Sequence, residues 1–146
     1  MWQRIINLIP SLEAYGLLSP DLAMRRRVNR LLGDRPVLSL DTWYERHCAP
    51  SCIAFAVAEF VYQKLPDYSG VDIGRVVPSD RLEDDLCWTD ICWFDWYLAL
   101  CDDFGDRFDI SLSPYLEELD LETVQDLLLY LNDQFQRHTP NSVVHS

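Results

Sequence analysis

Acidic and aromatic side chains are interleaved between residues 88 and 104, and together these residue types can bind a cation. A carboxylate attracts an arginine or lysine side chain, and an exposed ring beside it adds contact area of the kind found at the centre of interfaces. The stretch therefore predicts a recognition surface for a basic protein partner. Its expected residues are Asp90, Trp93, Phe94, Asp95, Asp102 and Asp103.

The aromatic residues of this stretch are expected to divide between core and surface. Trp96, Leu100 and Phe104 recur at helical spacing, which predicts one buried face. Trp93 and Phe94 lie on turns that also carry the acids, so at least one of the two rings is expected to be exposed. The alternative is that both rings pack under the N-terminal residues.

Cysteine and histidine residues are the other candidates for chemistry, and their spacing fits neither a metal site nor a nucleophile. The five cysteines are Cys48, Cys52, Cys87, Cys92 and Cys101. Zinc sites usually use two close pairs, and His47 is adjacent to Cys48, where two side chains rarely face each other. Cys52, Cys92 and Cys101 are expected on helices as small hydrophobic residues. We therefore predict no catalytic residue, no metal and no cofactor, and hence no enzyme.

Composition and charge favour a folded acidic protein. The chain has 146 residues, of which 49% are hydrophobic, enough for one domain with a buried core. Residues 1–47 hold seven bases against five acids, and residues 48–146 hold five bases against nineteen acids, balances of +2 and −14. This acidity disfavours nucleic acid and anionic membrane as partners and favours a basic protein, with solubility alone as the alternative.

The cysteines and the opening residues bear on localisation. An odd number of cysteines without a secretory signal is typical of reduced thiols in a cytoplasm. The run from Met1 to Pro10 is too short and too interrupted for a signal peptide or a membrane span. We therefore expect a cytoplasmic protein.

Helix-start and helix-stop residues predict an all-α chain, because no segment alternates over five or more residues. The predicted helices are Ile5–Tyr15 (interrupted at Pro10), 20–32, Ser51–Leu65, Asp90–Phe104 and Leu121–Arg137, with a shorter turn over 113–119. The residues expected to cap the starts of helices are Ser19, Asp90 and Asp120. The residues expected to end helices are Gly33, Pro66 with Gly70, and Gly105.

Two further predictions concern the segments around these helices. Residues 38–44 are expected to form a short connection in which Asp41 or Thr42 caps the next segment of the chain. The arginines between Arg25 and Arg30 are expected on a solvated face, with docking onto the acidic half of the chain as the alternative.

Three stretches in the same order resemble the acyl carrier protein family. They are the loop over 73–86, which ends in Leu82-Glu83-Asp84-Asp85-Leu86, the run from Asp90-Ile91 to Phe104, and Thr123-Val124-Gln125-Asp126-Leu127-Leu128-Leu129-Tyr130-Leu131. The resemblance implies an acyl-carrier-like four-helix bundle over residues 48–138. Residues 1–47 would then form an N-terminal helical extension, and residues 139–146 a disordered tail.

The resemblance places Asp90 where a carrier has the serine that holds phosphopantetheine. An aspartate cannot replace that serine, because its phosphoester would be a labile acyl phosphate. Attachment at Thr89 would require a shift in register that turns every core residue of the helix by about 100°. The chain resembles a bacterial family of short carrier-like proteins of unknown function that lack the serine.

The resemblance implies a function without catalysis. In carriers the corresponding acidic helix is the surface that partner enzymes hold through arginine and lysine. The chain is therefore expected to be an acidic protein–protein interaction module of the adaptor, inhibitor or immunity type. The alternatives are a working carrier with an atypical attachment residue and a structural subunit that forms an obligate homodimer.

Overall fold

The computed structural model describes residues 19–138, and this part of the chain is built from α-helices. Its six α-helices are α1 (Leu22–Leu32), α2 (Leu40–Trp43), α3 (Phe55–Ser69), α4 (Trp88–Ile91), α5 (Trp96–Phe108) and α6 (Val124–His138). Within residues 19–138 there is no β-strand, and one isolated bridge joins Arg81 to Thr123. The all-α prediction is confirmed. The helix predicted at Ile5–Tyr15 and the tail predicted at 139–146 lie outside the described residues.

The core lies between α3, α5 and α6. The expected buried faces are confirmed, because Trp96, Leu100 and Phe104 on α5 and Val124, Leu127, Leu128 and Leu131 on α6 are all buried. Phe104 packs edge-on against Phe60 of α3, with ring centroids 5.3 Å apart. Burying such a face contributes roughly 25 cal/mol for each Å² of apolar surface removed from water, which makes these stripes the main source of stability.

Helix α3 begins and ends later than predicted. Cys52 has a left-handed backbone (φ 60°) and is exposed, so a helix that starts at Ser51 and a helical Cys52 were both wrong. The side chain of Asn132 on α6 accepts a hydrogen bond from the amide of Ala54 at 2.9 Å, which satisfies a group at the start of α3. Pro66 lies inside the last turn, and Gly70, with φ 73°, ends the helix.

The expected connection over 38–44 is instead helical from Leu40 onward. The hydroxyl of Ser39 caps α2 by accepting a hydrogen bond from Thr42 N at 3.3 Å, so the predicted caps Asp41 and Thr42 were wrong. A π-helical turn (Tyr44–Cys48) and a 3₁₀ turn (Ala49–Ser51) follow α2 directly. Two more 3₁₀ turns lie at Ile73–Arg75 and Leu116–Glu118, the latter within the turn predicted over 113–119.

Helix α1 has its predicted end at Leu32, and its cap is Asp21 instead of Ser19. The Asp21 carboxylate accepts a hydrogen bond from the amide of Met24 at 3.0 Å. Arg26, Arg27 and Arg30 are exposed, as expected of a solvated face.

Arg25 differs from the other arginines of α1, because its side chain donates hydrogen bonds to backbone carbonyls of α3 and α4. Its Nε donates to Ile91 O at 2.7 Å and its Nη2 to Tyr68 O at 3.1 Å. Val28 and Leu32, on the same side of α1, belong to the buried cluster that includes the core of α3, α5 and α6. Helix α1 is therefore attached by apolar packing and by hydrogen bonds to carbonyl groups.

Two arginines fasten the turn after α1 to the loop after α3. Arg35 donates to the carbonyl of Arg75, and Arg75 donates to the carbonyls of Arg35 and Gly33. Arg35 also forms a two-pronged ion pair with Asp80, with N–O distances of 2.7 and 3.1 Å. We call this reciprocal pair of arginines the arginine clasp.

The predicted single helix from Asp90 to Phe104 was wrong, because the chain folds there as two helices. Helix α4 starts after Cys87, which has φ 52°, so Asp90 lies inside α4 and is not its cap. Helix α4 ends at Ile91, whose carbonyl accepts the hydrogen bond from Arg25, and Cys92 is extended. The hydrogen bond from Arg25 of α1 therefore lies at the break between α4 and α5.

Helices α5 and α6 also differ from the prediction at their ends. Helix α5 passes through Gly105 and ends at Phe108, where Asp109 takes the left-handed conformation (φ 58°). Helix α6 begins at Val124, and Asp120, the predicted cap, has φ 51°. The carboxylate of Asp126 accepts from Thr123 N at 3.0 Å and Thr123 Oγ1 accepts from Asp126 N at 3.1 Å, which makes a reciprocal cap.

Candidate functional site

An open groove of about 660 Å³ lies where the start of α1 meets the connection between α4 and α5. We call it the acidic groove. Its lining residues are Ser19, Pro20, Asp21, Thr89, Asp90, Cys92, Trp93, Phe94, Trp96 and Leu116. Three of the predicted recognition residues, Asp90, Trp93 and Phe94, are therefore brought together.

Two carboxylates lie at this groove on neighbouring chain segments. The amide of Asp21 donates to the carbonyl of Asp90 at 2.9 Å, which fixes the distance between the two backbones. Both residues are exposed. A positively charged group that enters the groove therefore meets two negative charges on a braced backbone.

The aromatic rings at the groove differ in exposure. Phe94 is 58% exposed, whereas Trp93 is half-buried and donates its amide to Tyr68 O at 3.2 Å. Trp96 is buried, and it stacks edge-on with Trp88 at 5.7 Å between ring centroids. The expectation that at least one of the rings at 93 and 94 is exposed is confirmed.

The other three predicted residues lie on α5 or at its start, outside the lining of the acidic groove. Asp95 precedes α5, where burial raises the pKa of its carboxyl and the nearby charge of Asp102 adds to the increase. Asp102 is exposed and lines a separate depression with Leu98. Asp103 accepts a hydrogen bond of 2.6 Å from the hydroxyl of Tyr68, so it makes an internal contact.

Replacing Tyr68 by Phe should lower the free energy of unfolding by about 1 kcal/mol, because it deletes the hydrogen bond to Asp103. Burial and the Asp103 carboxylate both raise the pKa of Tyr68, so its hydroxyl remains protonated and donates at neutral pH. Urea denaturation followed by circular dichroism measures the loss. The control is Tyr115→Phe, because Tyr115 is exposed. Equal stability of the two variants would mean that this bond contributes nothing.

Seven of the ten groove residues were not predicted as site residues, and Asp21 and Trp96 are the two that matter most for its charge and its aromatic lining. Asp21 has the signature of a helix start, and no local pattern places it beside a residue almost 70 positions later. Trp96 was correctly predicted as core, and one side of it also lines the groove. Neither residue could have been assigned to the groove without knowing that α1 packs on α4.

Within residues 19–138, we find neither a reactive thiol at Cys48 nor a cluster of side chains that could bind a metal ion. Burial raises the pKa of the Cys48 thiol to about 12, so that thiol is protonated and unreactive at neutral pH. Among residues 19–138, no three His, Cys, Asp or Glu side chains are grouped so that they could hold a metal ion. In the same part of the chain, every helix is too short or too polar to cross a membrane.

Comparison with known proteins gives no relative. No protein-family model matches the sequence, and no curated protein or solved structure matches the chain. Function therefore has to be inferred from the geometry of the acidic groove.

Proposed function

We propose that this protein is a non-catalytic interaction module that binds a basic protein partner at the acidic groove. The observation that carries the proposal is the exposed ring of Phe94 in the same groove as the carboxylates of Asp21 and Asp90. Aromatic side chains are enriched at the centres of protein–protein interfaces, where they supply much of the binding energy.

An arginine side chain of the partner fits this chemistry best. Its guanidinium pairs with a carboxylate, a contact that contributes about 0.2–1 kcal/mol while the pair is exposed to water, and it also stacks on aromatic faces. A cation–π contact at an exposed site such as Phe94 adds about 0.5–1 kcal/mol. The net charge of −12 further increases the rate at which a basic partner arrives.

The proposal agrees with the resemblance to acyl carrier proteins and does not depend on it. If the fold is a carrier-like bundle, Asp90 and the rings after it occupy the surface that carriers present to basic partner enzymes. Asp102 on α5 is exposed and would extend that surface. Asp103 is a weaker candidate, because Tyr68 already donates to it.

The carrier and dimer alternatives have less support. A carrier needs a nucleophilic hydroxyl at the attachment position, where the resemblance places the carboxylate of Asp90. An obligate dimer needs a wide apolar face, whereas Phe94 is flanked by charged side chains at Asp90 and Asp95.

The double variant Asp90→Lys with Phe94→Ala should weaken binding of a basic peptide at least tenfold, because it reverses one charge of the groove and removes its exposed ring. The probe is a nonapeptide of alternating arginine and glycine, and isothermal titration calorimetry measures its dissociation constant.

The matched control is Asp133→Lys with Leu129→Ala, on α6. It makes the same change of charge and also removes an exposed apolar side chain, and the ion pair from Asp133 to Arg137 that it breaks is exposed and weak. We expect less than a twofold change for the control. Equal weakening by both variants would show attraction by net charge alone, and failure of the wild type to bind the peptide would refute the proposed function.

A further inference from the structure

A second, smaller cavity of about 190 Å³ lies on a part of the fold that the acidic groove does not include. It is enclosed by the turn after α1, the π-helical turn and the loop after α3. Its lining residues are Arg35, Pro36, Leu38, Arg46, His47, Gly74, Arg75, Val76 and Val77. We call it the basic pocket.

The basic pocket concentrates positive charge in a chain whose net charge is −12. Three arginines line it, and one carboxylate, that of Asp80, is paired with Arg35. Within the described residues, Arg46 and Arg75 form no ion pair. In this part of the chain, two positive charges at the pocket are therefore left without a carboxylate partner.

The walls of the basic pocket are held in place by hydrogen bonds and close packing. Nε1 of Trp43 donates to Val76 O at 2.9 Å, and the arginine clasp joins the two sides. A Cβ atom on Gly74 would lie 2.6 Å from Leu38 O, so the backbone approaches there as closely as only glycine allows. The site is preorganised, which reduces the entropic cost of binding a ligand.

The π-helical turn supplies the outer wall. Such turns are rare, occur mostly as single turns, and are frequent at functional sites. Here the turn Tyr44–Cys48 carries Arg46 and His47 into the lining of one cavity. The unusual backbone and the arginines outside ion pairs are separate observations that point to the same place.

We propose that the basic pocket binds a small organic oxyanion, a phosphate or carboxylate group on a short apolar stem. Arg46 would hold the oxyanion through charge-assisted hydrogen bonds, which both types of group accept from guanidinium. Arg75, whose Nη1 donates to the carbonyls of Gly33 and Arg35, would add its positive charge. Pro36, Leu38 and Val77 would contact the apolar stem. The volume of the cavity matches a stem of a few carbon atoms beyond the anionic group.

His47 supplies a reporter for the proposed ligand. Burial lowers the pKa of His47, the charge of Arg46 lowers it further, and the charge of Asp80 acts in the opposite direction. Arg35 and Arg75 line the same cavity. A bound anion favours the protonated form, so the pKa of His47 should rise when the pocket fills.

The experiment titrates the full chain with n-butyl phosphate, butyrate and inorganic phosphate, and follows the imidazole resonances of His47 by NMR. We expect saturable binding of n-butyl phosphate or butyrate that is at least tenfold tighter than that of inorganic phosphate, with a higher pKa of His47 in the complex.

The test variant is Arg46→Glu, and the matched control is Arg26→Glu, the same charge change on the exposed face of α1. Arg46→Glu should weaken binding at least tenfold and abolish the ligand-induced change at His47, whereas Arg26→Glu should change affinity less than twofold. Circular dichroism checks that both variants fold. Equal weakening by the two variants, or no saturable binding to the wild type by any of the three probes, would overturn the proposal.

Discussion

Replacing Trp43 by alanine should lower the free energy of unfolding by about 4 kcal/mol, the largest effect we expect from a single substitution. Trp43 is fully buried, its ring packs edge-on against Tyr62 with centroids 5.6 Å apart, and its Nε1 donates to Val76 O. The variant would leave a large cavity and an unpaired carbonyl. Urea denaturation followed by far-ultraviolet circular dichroism measures the loss.

The variant Trp43→Phe separates the two parts of this effect. It keeps most of the ring and loses the hydrogen bond to Val76 O, so we expect a loss of about 1–2 kcal/mol. A loss below about 1 kcal/mol for the alanine variant would mean that α2 unfolds separately from the rest of the core.

The second large effect should come from Asp80→Ala, which we expect to cost about 3 kcal/mol of stability. Asp80 is only 5% exposed. Its carboxylate accepts two hydrogen bonds from Arg35 and a third from Val77 N at 2.9 Å. Its removal leaves the Val77 amide without its acceptor and the Arg35 guanidinium with only the carbonyl of Arg75. Because the Arg35 side chain is 38% exposed, water replaces part of the lost interaction, which holds the estimate at the low end for buried pairs.

The matched control for Asp80 is Asp84→Ala. Asp84 is strongly exposed and pairs with Arg81 at 3.4 Å, a contact that should contribute less than about 1 kcal/mol. Both variants remove one carboxylate, so the difference between their denaturation midpoints measures what the buried contacts of Asp80 add to stability. Similar midpoints would mean that the hydrogen bonds of the arginine clasp stabilise the turn after α1 without a contribution from Asp80.

The long apolar stripes could be predicted from sequence because burial alone determines them. The buried faces of α5 and α6 follow helical spacing, and residues such as Leu100 and Leu128 lie where that spacing puts them. The all-α class followed from the same periodicity.

Helix ends were predicted less well, because they depend on tertiary hydrogen bonds. Helix α4 ends at Ile91, where a side chain from α1, Arg25, occupies the carbonyl, and no local residue signals this. Asp120 looks like a cap, but the reciprocal bonds of Thr123 and Asp126 begin α6 instead. The helical segment of residues 40–51 is composed of short turns, each too brief to show a period.

The candidate site could be predicted only in part, because some of its residues meet only through tertiary packing. The contiguous residues Asp90, Trp93 and Phe94 could be chosen together from sequence, whereas Asp21 joins them only through the docking of α1. The basic pocket had no sequence signal, because Arg35, Arg46 and Arg75 are spread over about 40 residues and meet only in the fold.

The attachment of α1 also constrains the order in which the chain can fold during synthesis. Arg25 binds Tyr68 and Ile91, which lie 43 and 66 residues later, and Arg35 reaches its clasp 40 residues later. An isolated helix of 11 residues is marginal in water, so α1 has no stable form until those carbonyls have been synthesised. Helix α1 leaves the ribosome before α3 and α4, and it docks only after both have emerged.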